Sequence, residues 1–142
     1  LGFQELITAL DNAANQKEAL VLGTGGASKA VSKGLENLGL EVVFVSRTSS
    51  PGQFTYKDLD KEIMSEFRVI VNTSPVGTYP KVDEAPDIPY KYLSAKHLLY
   101  DLVYNPSETK FLRLGKDNGA VVKNGGEMLV LQAVASWNIW KR

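Results

Sequence analysis

Four apolar residues in a row, Ala19-Leu20-Val21-Leu22, run straight into Gly23-Thr24-Gly25-Gly26 and then into a stretch of helical periodicity. This junction restricts the fold of the 142-residue chain more than any other part of it. A short, unbroken apolar run suits a strand covered on both faces, as in a parallel sheet. After the glycines, Ala27, Ala30, Val31, Gly34, Leu35 and Leu38 fall on one stripe at steps of three and four. Lys29, Lys33 and Glu36 lie off that stripe, and Gly39 is placed to end the helix. Val42-Val43-Phe44-Val45 makes the next strand. Strand, helix and strand in such a short stretch form a βαβ unit, whose parallel strands need a right-handed crossover.

The alternation continues along the chain. Leu59, Ile63 and Phe67 mark a helix before the strand Val69-Ile70-Val71. Leu98-Leu99-Tyr100 leads a strand into Asp101, Phe111, Leu112 and Leu114 mark another helix, and Ala120-Val121-Val122 reads as a further strand. Phe3, Leu6, Ile7 and Leu10 predict an opening helix. A closing helix is expected from Met128 to Trp140, with Leu129, Ala133, Ser136, Trp137 and Trp140 near one side. Repeated βα units predict an α/β fold, a Rossmann-like doubly wound parallel sheet of five or six strands in a three-layer αβα arrangement. Pro75 to Pro89 reads as a long loop at the carboxyl end of the third strand, where such sheets bind ligands.

Composition closes off several functions. Lys plus Arg equals Asp plus Glu at 16 each, so no positive field exists to hold nucleic acid or a membrane surface. The absence of cysteine excludes disulfides and thiolate chemistry, and a single histidine, His97, argues against a zinc site, so no metal is expected. His97 falls at the start of a strand, away from the ligand end, and reads as a packing or surface residue. No apolar run approaches the roughly 20 residues that span a bilayer, and a cytoplasmic location is expected. The chain opens on an amphipathic pattern at Leu1 without a Met, which suggests a part of something longer.

Gly23, Thr24, Gly25, Gly26 and Ala27 lie where a buried strand turns into a helix, the context in which a glycine pattern points to a pyrophosphate. Glycines let the backbone come close to the phosphates, and the N–H groups and dipole of the helix start supply positive potential. The direct succession of Gly25 and Gly26 is a variant of the usual spacing. The second strand ends in Ser46-Arg47-Thr48, where an NAD-binding domain usually presents an acid to the ribose. A carboxylate would repel a 2′-phosphate, whereas the forked guanidinium of Arg47 pairs with one, so the pattern points to NADP. A bare βα turn and a solvated arginine are the plainer alternatives.

Taken in order, several segments resemble the C-terminal domain of the shikimate dehydrogenases almost end to end. They are the glycine turn, Ser46-Arg47-Thr48, and Asn72-Thr73-Ser74-Pro75-Val76-Gly77 with Tyr79 and Pro80. Asp101-Leu102-Val103-Tyr104-Asn105-Pro106 with Thr109 follows, and then Asn124-Gly125-Gly126-Glu127-Met128-Leu129 through Gln132, with Trp137 and Trp140. The resemblance implies that residues 1–142 form an NADP-binding domain. In it Asn72, Thr73, Ser74, Pro75 and Val76 flank the cofactor, Leu102 touches the nicotinamide through its backbone, and Gly125 completes the frame. Tyr104 and Gln132 match residues that contact shikimate. The implied reaction is the reversible, NADPH-dependent reduction of 3-dehydroshikimate to shikimate, with a homodimer as a possible assembly.

In this family the catalytic Lys and Asp precede the nucleotide-binding turn, and Gly2-Phe3 resembles the last residues of the segment that carries the Asp. Both are therefore expected outside this chain, and neither Lys123 nor Asp101 is assigned their role. Ketone reduction needs a proton donor beside the hydride, and the residues here offer none that is evident. Tyr104 is better suited to orienting substrate than to donating a proton, and a packed aromatic is its plainer reading. For Gln132 a polar residue facing a partner domain is equally open. A quinate/shikimate dehydrogenase relative and a non-catalytic dinucleotide sensor remain the alternative functions.

Overall fold

The computed structural model describes residues 18–37, 39–126, 131–133 and 135. Five apolar-rich segments and one short edge pair build the sheet: β1 (Glu18–Leu22), β2 (Glu41–Ser46), β3 (Phe54–Thr55), β4 (Val69–Asn72), β5 (Leu98–Asp101) and β6 (Val121–Asn124). All neighbours are parallel, in the order β3-β2-β1-β4-β5-β6. The chain thus winds outward from β1 in one direction and then, from β4, in the other. Such a reversal opens a crevice at the carboxyl ends of the two central strands.

Three helices flank the sheet: α1 (Gly26–Asn37), α2 (Lys61–Glu66) and α3 (Lys110–Asp117). Because successive strand residues point to opposite faces, β1 feeds two cores at once. Ala19 and Val21 pack with Val31 and Leu35 of α1, with Val69, Val71 and Tyr100, and with Ala133 of the helical residues 131–133. Leu20 and Leu22 pack with Met64 of α2, Phe111 and Leu112 of α3, and Ile70 and Leu99. Helices cover both faces, which gives the expected three layers.

The structure departs from the sequence reading in detail. On α1 the buried residues are Ser28, Val31, Ser32 and Leu35, whereas Ala27, Ala30 and Gly34 are only half-buried. Two serines take the inner stripe because their hydroxyls bond along their own helix, Ser28 to the Gly25 carbonyl and Ser32 to the Glu36 carboxylate. The helix expected across Leu59, Ile63 and Phe67 is only six residues long. Asp60 caps it by accepting from the Ile63 N–H at 2.9 Å, and Leu59 and Phe67 flank it. The two-residue strand β3 had no periodicity to announce it. The segment after β4, expected from the sequence to be a ligand-bordering loop, also buries Ile88 and Leu93 in the second core and so covers sheet where a helix would otherwise lie. The opening helix, Leu38 and most of the closing helix, including Met128, Trp137 and Trp140, lie outside the described residues.

Candidate functional site

The parallel register sets one row across the carboxyl edge of the sheet. Val45 stands beside Leu22, Leu22 beside Asn72, Asn72 beside Asp101, and Asp101 beside Asn124. The segments that follow these five residues begin at Gly23, Ser46, Thr73, Leu102 and Gly125. The register therefore brings to one edge all the stretches that the sequence singles out for the cofactor.

Gly23 is held there by geometry. Its φ is +107°, and a Cβ would lie 2.9 Å from Thr73 Oγ1, so a side chain would be both strained and obstructed. Its N–H donates to the Val45 carbonyl at 2.9 Å, while the Thr73 N–H and hydroxyl both donate to the Leu22 carbonyl, at 3.0 and 2.7 Å. Those bonds tie the turn after β1 to the loop after β4. At Gly25 and Gly26, in contrast, a Cβ would meet no protein atom within 4 Å. Internal packing does not demand glycine at either position, and the backbone there is open to close approach from outside. Gly25 precedes α1 and has no side chain to cap it, so the first-turn N–H groups of the helix point outward as donors without a helical acceptor.

Beneath the crevice lies a buried polar chain. The Asn72 amide donates to Asp101 at 3.1 Å, and its oxygen accepts the Ser74 N–H at 3.1 Å and the Ser74 hydroxyl at 2.6 Å. Asp101 also accepts the Val103 N–H at 2.9 Å and the Thr109 hydroxyl at 2.6 Å. Burial pushes the Asp101 carboxyl up to about 6, although its three donors pull the other way. Above this chain a crevice of about 480 Å³ is lined by Ala27, Thr73, Ser74, Pro75, Leu102 and Tyr104, among others. Tyr104 is 67% exposed, so it is no packed aromatic, and it lies at the crevice rim with its ring against Gly126. The residues lining the crevice offer hydroxyls, amides and one phenol, with no carboxylate, imidazole or ammonium.

Not every expected residue meets there. Arg47 and Val76 line a second cleft of about 820 Å³ with Tyr56, and Lys57, Lys110, Asp83, Glu84 and Asp87 also border it. Arg47 is exposed and lies one residue past Ser46, on the same edge as the glycine turn. The Ser46 hydroxyl accepts the Thr48 N–H at 3.1 Å, which shapes the turn that presents Arg47. Tyr56 feels both the Arg47 guanidinium, which lowers its pKa, and burial, which raises it more. Gln132 is exposed on the helical residues 131–133 and lies outside the lining of both clefts.

His97 is a packing residue. It is buried, Nε2 donates to the Met64 carbonyl at 2.6 Å and Nδ1 accepts the Ser94 N–H at 3.1 Å, so the ring is neutral and its pKa is lowered by burial. The sequence reading singled out Thr109 as part of a motif without giving it a role, and did not single out Lys57 and Lys110, which border the second cleft. The role of Thr109 as an N-cap carried a usable signal, a hydroxyl residue just before the apolar pattern of α3. Among the described residues no group of three acids and histidines could hold a metal, and no helix is long and apolar enough to cross a membrane.

An all-parallel sheet in this order, with a glycine turn at the head of α1, defines a Rossmann-type α/β domain. No family model matches the chain. Individual relatives do. The NADP-dependent shikimate dehydrogenase of Carboxydothermus hydrogenoformans is 33% identical over 153 residues, which cover 98% of this chain and 55% of the relative. That of Clostridium beijerinckii is 35% identical over 147 residues, 99% of this chain and 54% of the relative. The crystal structure of Thermus thermophilus shikimate 5-dehydrogenase, in complex with NADP(H) and shikimate, superposes with a TM-score of 0.69. It shares 31% identity and covers 97% of this chain and 54% of its own. Over nearly its whole length the chain is similar to the shikimate dehydrogenases. It spans about half the length of the curated relatives it matches.

Proposed function

We propose that this chain is the NADP-binding domain of a shikimate dehydrogenase, and that a domain outside it supplies the groups that handle the proton. The observation that carries this is the row across the sheet edge, from which the glycine turn, the Arg47 turn, the Ser74 loop, Leu102 and Gly125 all spring. The residues present fit a dinucleotide. Gly25 and Gly26 leave room for a phosphate at their backbone, and the head of α1 offers it N–H donors. Ser46, Arg47 and Thr48 present a guanidinium and hydroxyls to a 2′-phosphate. The Asn72–Val76 loop, Leu102 and Gly125 frame the nicotinamide, and Tyr104 at the crevice rim is the described residue placed to orient the substrate, whereas Gln132 lies outside both clefts and its assignment rests on the resemblance alone.

When bound, the cofactor supplies or accepts the hydride that interconverts 3-dehydroshikimate and shikimate. The chain's own part is to hold and orient it, since the crevice lining has no acid or base suited to the ketone oxygen. Calorimetric titration of the chain with NADP and with NAD tests the reading. Tighter binding of NADP, lost in Arg47→Ala, is the expected result. Equal affinity for the two dinucleotides, or no binding of either, would overturn it.

A further inference from the structure

Asp101 closes β5 with no exposed surface, and three separate pieces of the structure converge on its carboxylate. Oδ1 accepts from the Asn72 amide and the Val103 N–H, and Oδ2 accepts from the Thr109 hydroxyl. Asn72 is itself fully buried, and its orientation is decided here. With its nitrogen on Asp101, its oxygen must face Ser74, where it takes both the backbone N–H and the hydroxyl. Reversing that amide would set its oxygen against the carboxylate and its nitrogen against two donors. Asp101 thus fixes the Ser74 wall through Asn72. It fixes the opposite wall through Val103, the residue after Leu102, whose own N–H donates to the Asn72 carbonyl at 3.1 Å. Thr109, which donates to the same carboxylate, also accepts the Leu112 N–H at 3.3 Å and so caps α3.

We propose that Asp101 is a positioning residue, which locks the Thr73–Thr78 and Leu102–Asn105 walls of the crevice into one geometry and so sets cofactor affinity without touching the cofactor. The proposal rests on the NADP reading given above. Stability does not explain the charge, because burial outweighs the three donors and makes the ionised form costlier in the folded chain than in water. What the carboxylate provides is direction. It presents acceptor oxygens to three donors at once, and protonation turns one oxygen into a donor that, of these three partners, only the Thr109 hydroxyl could accept, by reversing its own bond. The titratable groups that face it are the phenols of Tyr90, in the short 3-10 helix Tyr90–Tyr92, and of Tyr100, both pushed up by burial first and by the Asp101 charge second. Its sheet neighbours, Asn72 and Asn124, do not titrate.

The test compares the chain with Asp101→Asn, following NADP binding between pH 8 and pH 5 and the backbone amide resonances of Ser74, Val103 and Leu112 over the same range. With a carboxyl that titrates near 6, the unsubstituted chain should hold NADP about tenfold more weakly at pH 5 than at pH 8, beyond any loss in Asp101→Asn. That variant shares the titration of the 2′-phosphate itself, so the difference isolates Asp101. The three amides should shift together with one midpoint near 6, and Asp101→Asn should bind NADP at least tenfold more weakly at pH 8 with an unfolding temperature no lower. Equal affinity in the variant, or a loss that only tracks a fall in unfolding temperature, overturns the proposal. If the unsubstituted chain binds no NADP at any pH, the cofactor reading fails, and the amides decide alone: a common midpoint supports the lock and independent behaviour refutes it.

Discussion

At the scale of single residues, the site shows which glycines the fold needs and which it leaves to a ligand. Gly23→Ala should lose about 1–3 kcal/mol of stability in urea unfolding, since φ is +107° and the new methyl would meet Thr73 Oγ1 at 2.9 Å. Gly25→Ala meets nothing, so its effect should appear in cofactor affinity and not in the unfolding midpoint. The sequence alone could not make this distinction, because all three glycines belong to one motif and only the backbone conformation of Gly23 and the approach of Thr73 separate them. His97 offers a pH test at the same scale. Its folded pKa lies below the ordinary 6.5, so the unfolded chain takes up the proton first as pH falls. The stability that neutral His97 contributes is therefore present above about pH 6.5 and lost as pH drops through its depressed folded value. Asp101, raised to about 6, works in the opposite direction, since its contribution is present below 3.8 and lost as pH climbs toward 6. His97→Gln should be less stable at pH 7, where it gives up the Met64 and Ser94 bonds, yet its urea midpoint should fall less than that of the unsubstituted chain between pH 7 and pH 5.

Elements were legible in the sequence where their pattern was long or doubly apolar. The strands β1, β4 and β5 could be read because both of their faces are buried, which leaves an unbroken apolar run, and β2 carries a similar run from Val42 to Val45 although only Val45 is buried. α1 could be read from its spacing, though its inner stripe was placed slightly off, since buried serines bonded to their own helix look polar in a hydrophobicity pattern. β3 was invisible, because two residues carry no period. Helix α3 shows what packing adds beyond pattern. Gly115 lies in it with a Cβ position only 2.6 Å from Leu99 Cδ2 and 3.3 Å from Val122 Cγ1, so the helix rests on β5 and β6 at a distance that only glycine permits. Replacing it with alanine would gain about 1 kcal/mol in helix propensity. Leu99 is fully buried and the new methyl would press on it and on Val122, so Gly115→Ala should still lower stability, by about 1–3 kcal/mol of overpacking less that gain. A variant more stable than the parent in thermal unfolding would show that α3 shifts outward freely.

For the whole molecule, the parallel order was within reach of the sequence because repeated βα units admit few windings, but the convergence of the site was not. It depends on register, which places Leu22, Val45, Asn72, Asp101 and Asn124 in one row although they are distant along the chain. The second cleft was equally hidden, since Lys57 and Lys110 come to the neighbourhood of Arg47 only through the fold. A ligand laid along that edge would touch the turns after β1, β2, β4, β5 and β6, and would hold together the two oppositely wound halves of the sheet. Binding to the folded state alone stabilises it by about 2.7 kcal/mol at a hundredfold excess over Kd. For a chain of this length that corresponds to a rise in Tm on the order of 10 °C. NADP at that excess should therefore raise Tm by this amount in a single cooperative transition, and NAD at the same concentration should raise it less. If Arg47 pairs with the 2′-phosphate as proposed, Arg47→Ala removes a charge-assisted bond of about 1.5–3 kcal/mol and should bring the NADP curve down to the NAD curve while leaving the Tm of the free chain unchanged. If NADP and NAD shift Tm equally before the substitution, Arg47 does not read the 2′-phosphate. If the free chain instead melts in two steps that NADP fails to merge, the ligand does not bridge the halves of the sheet.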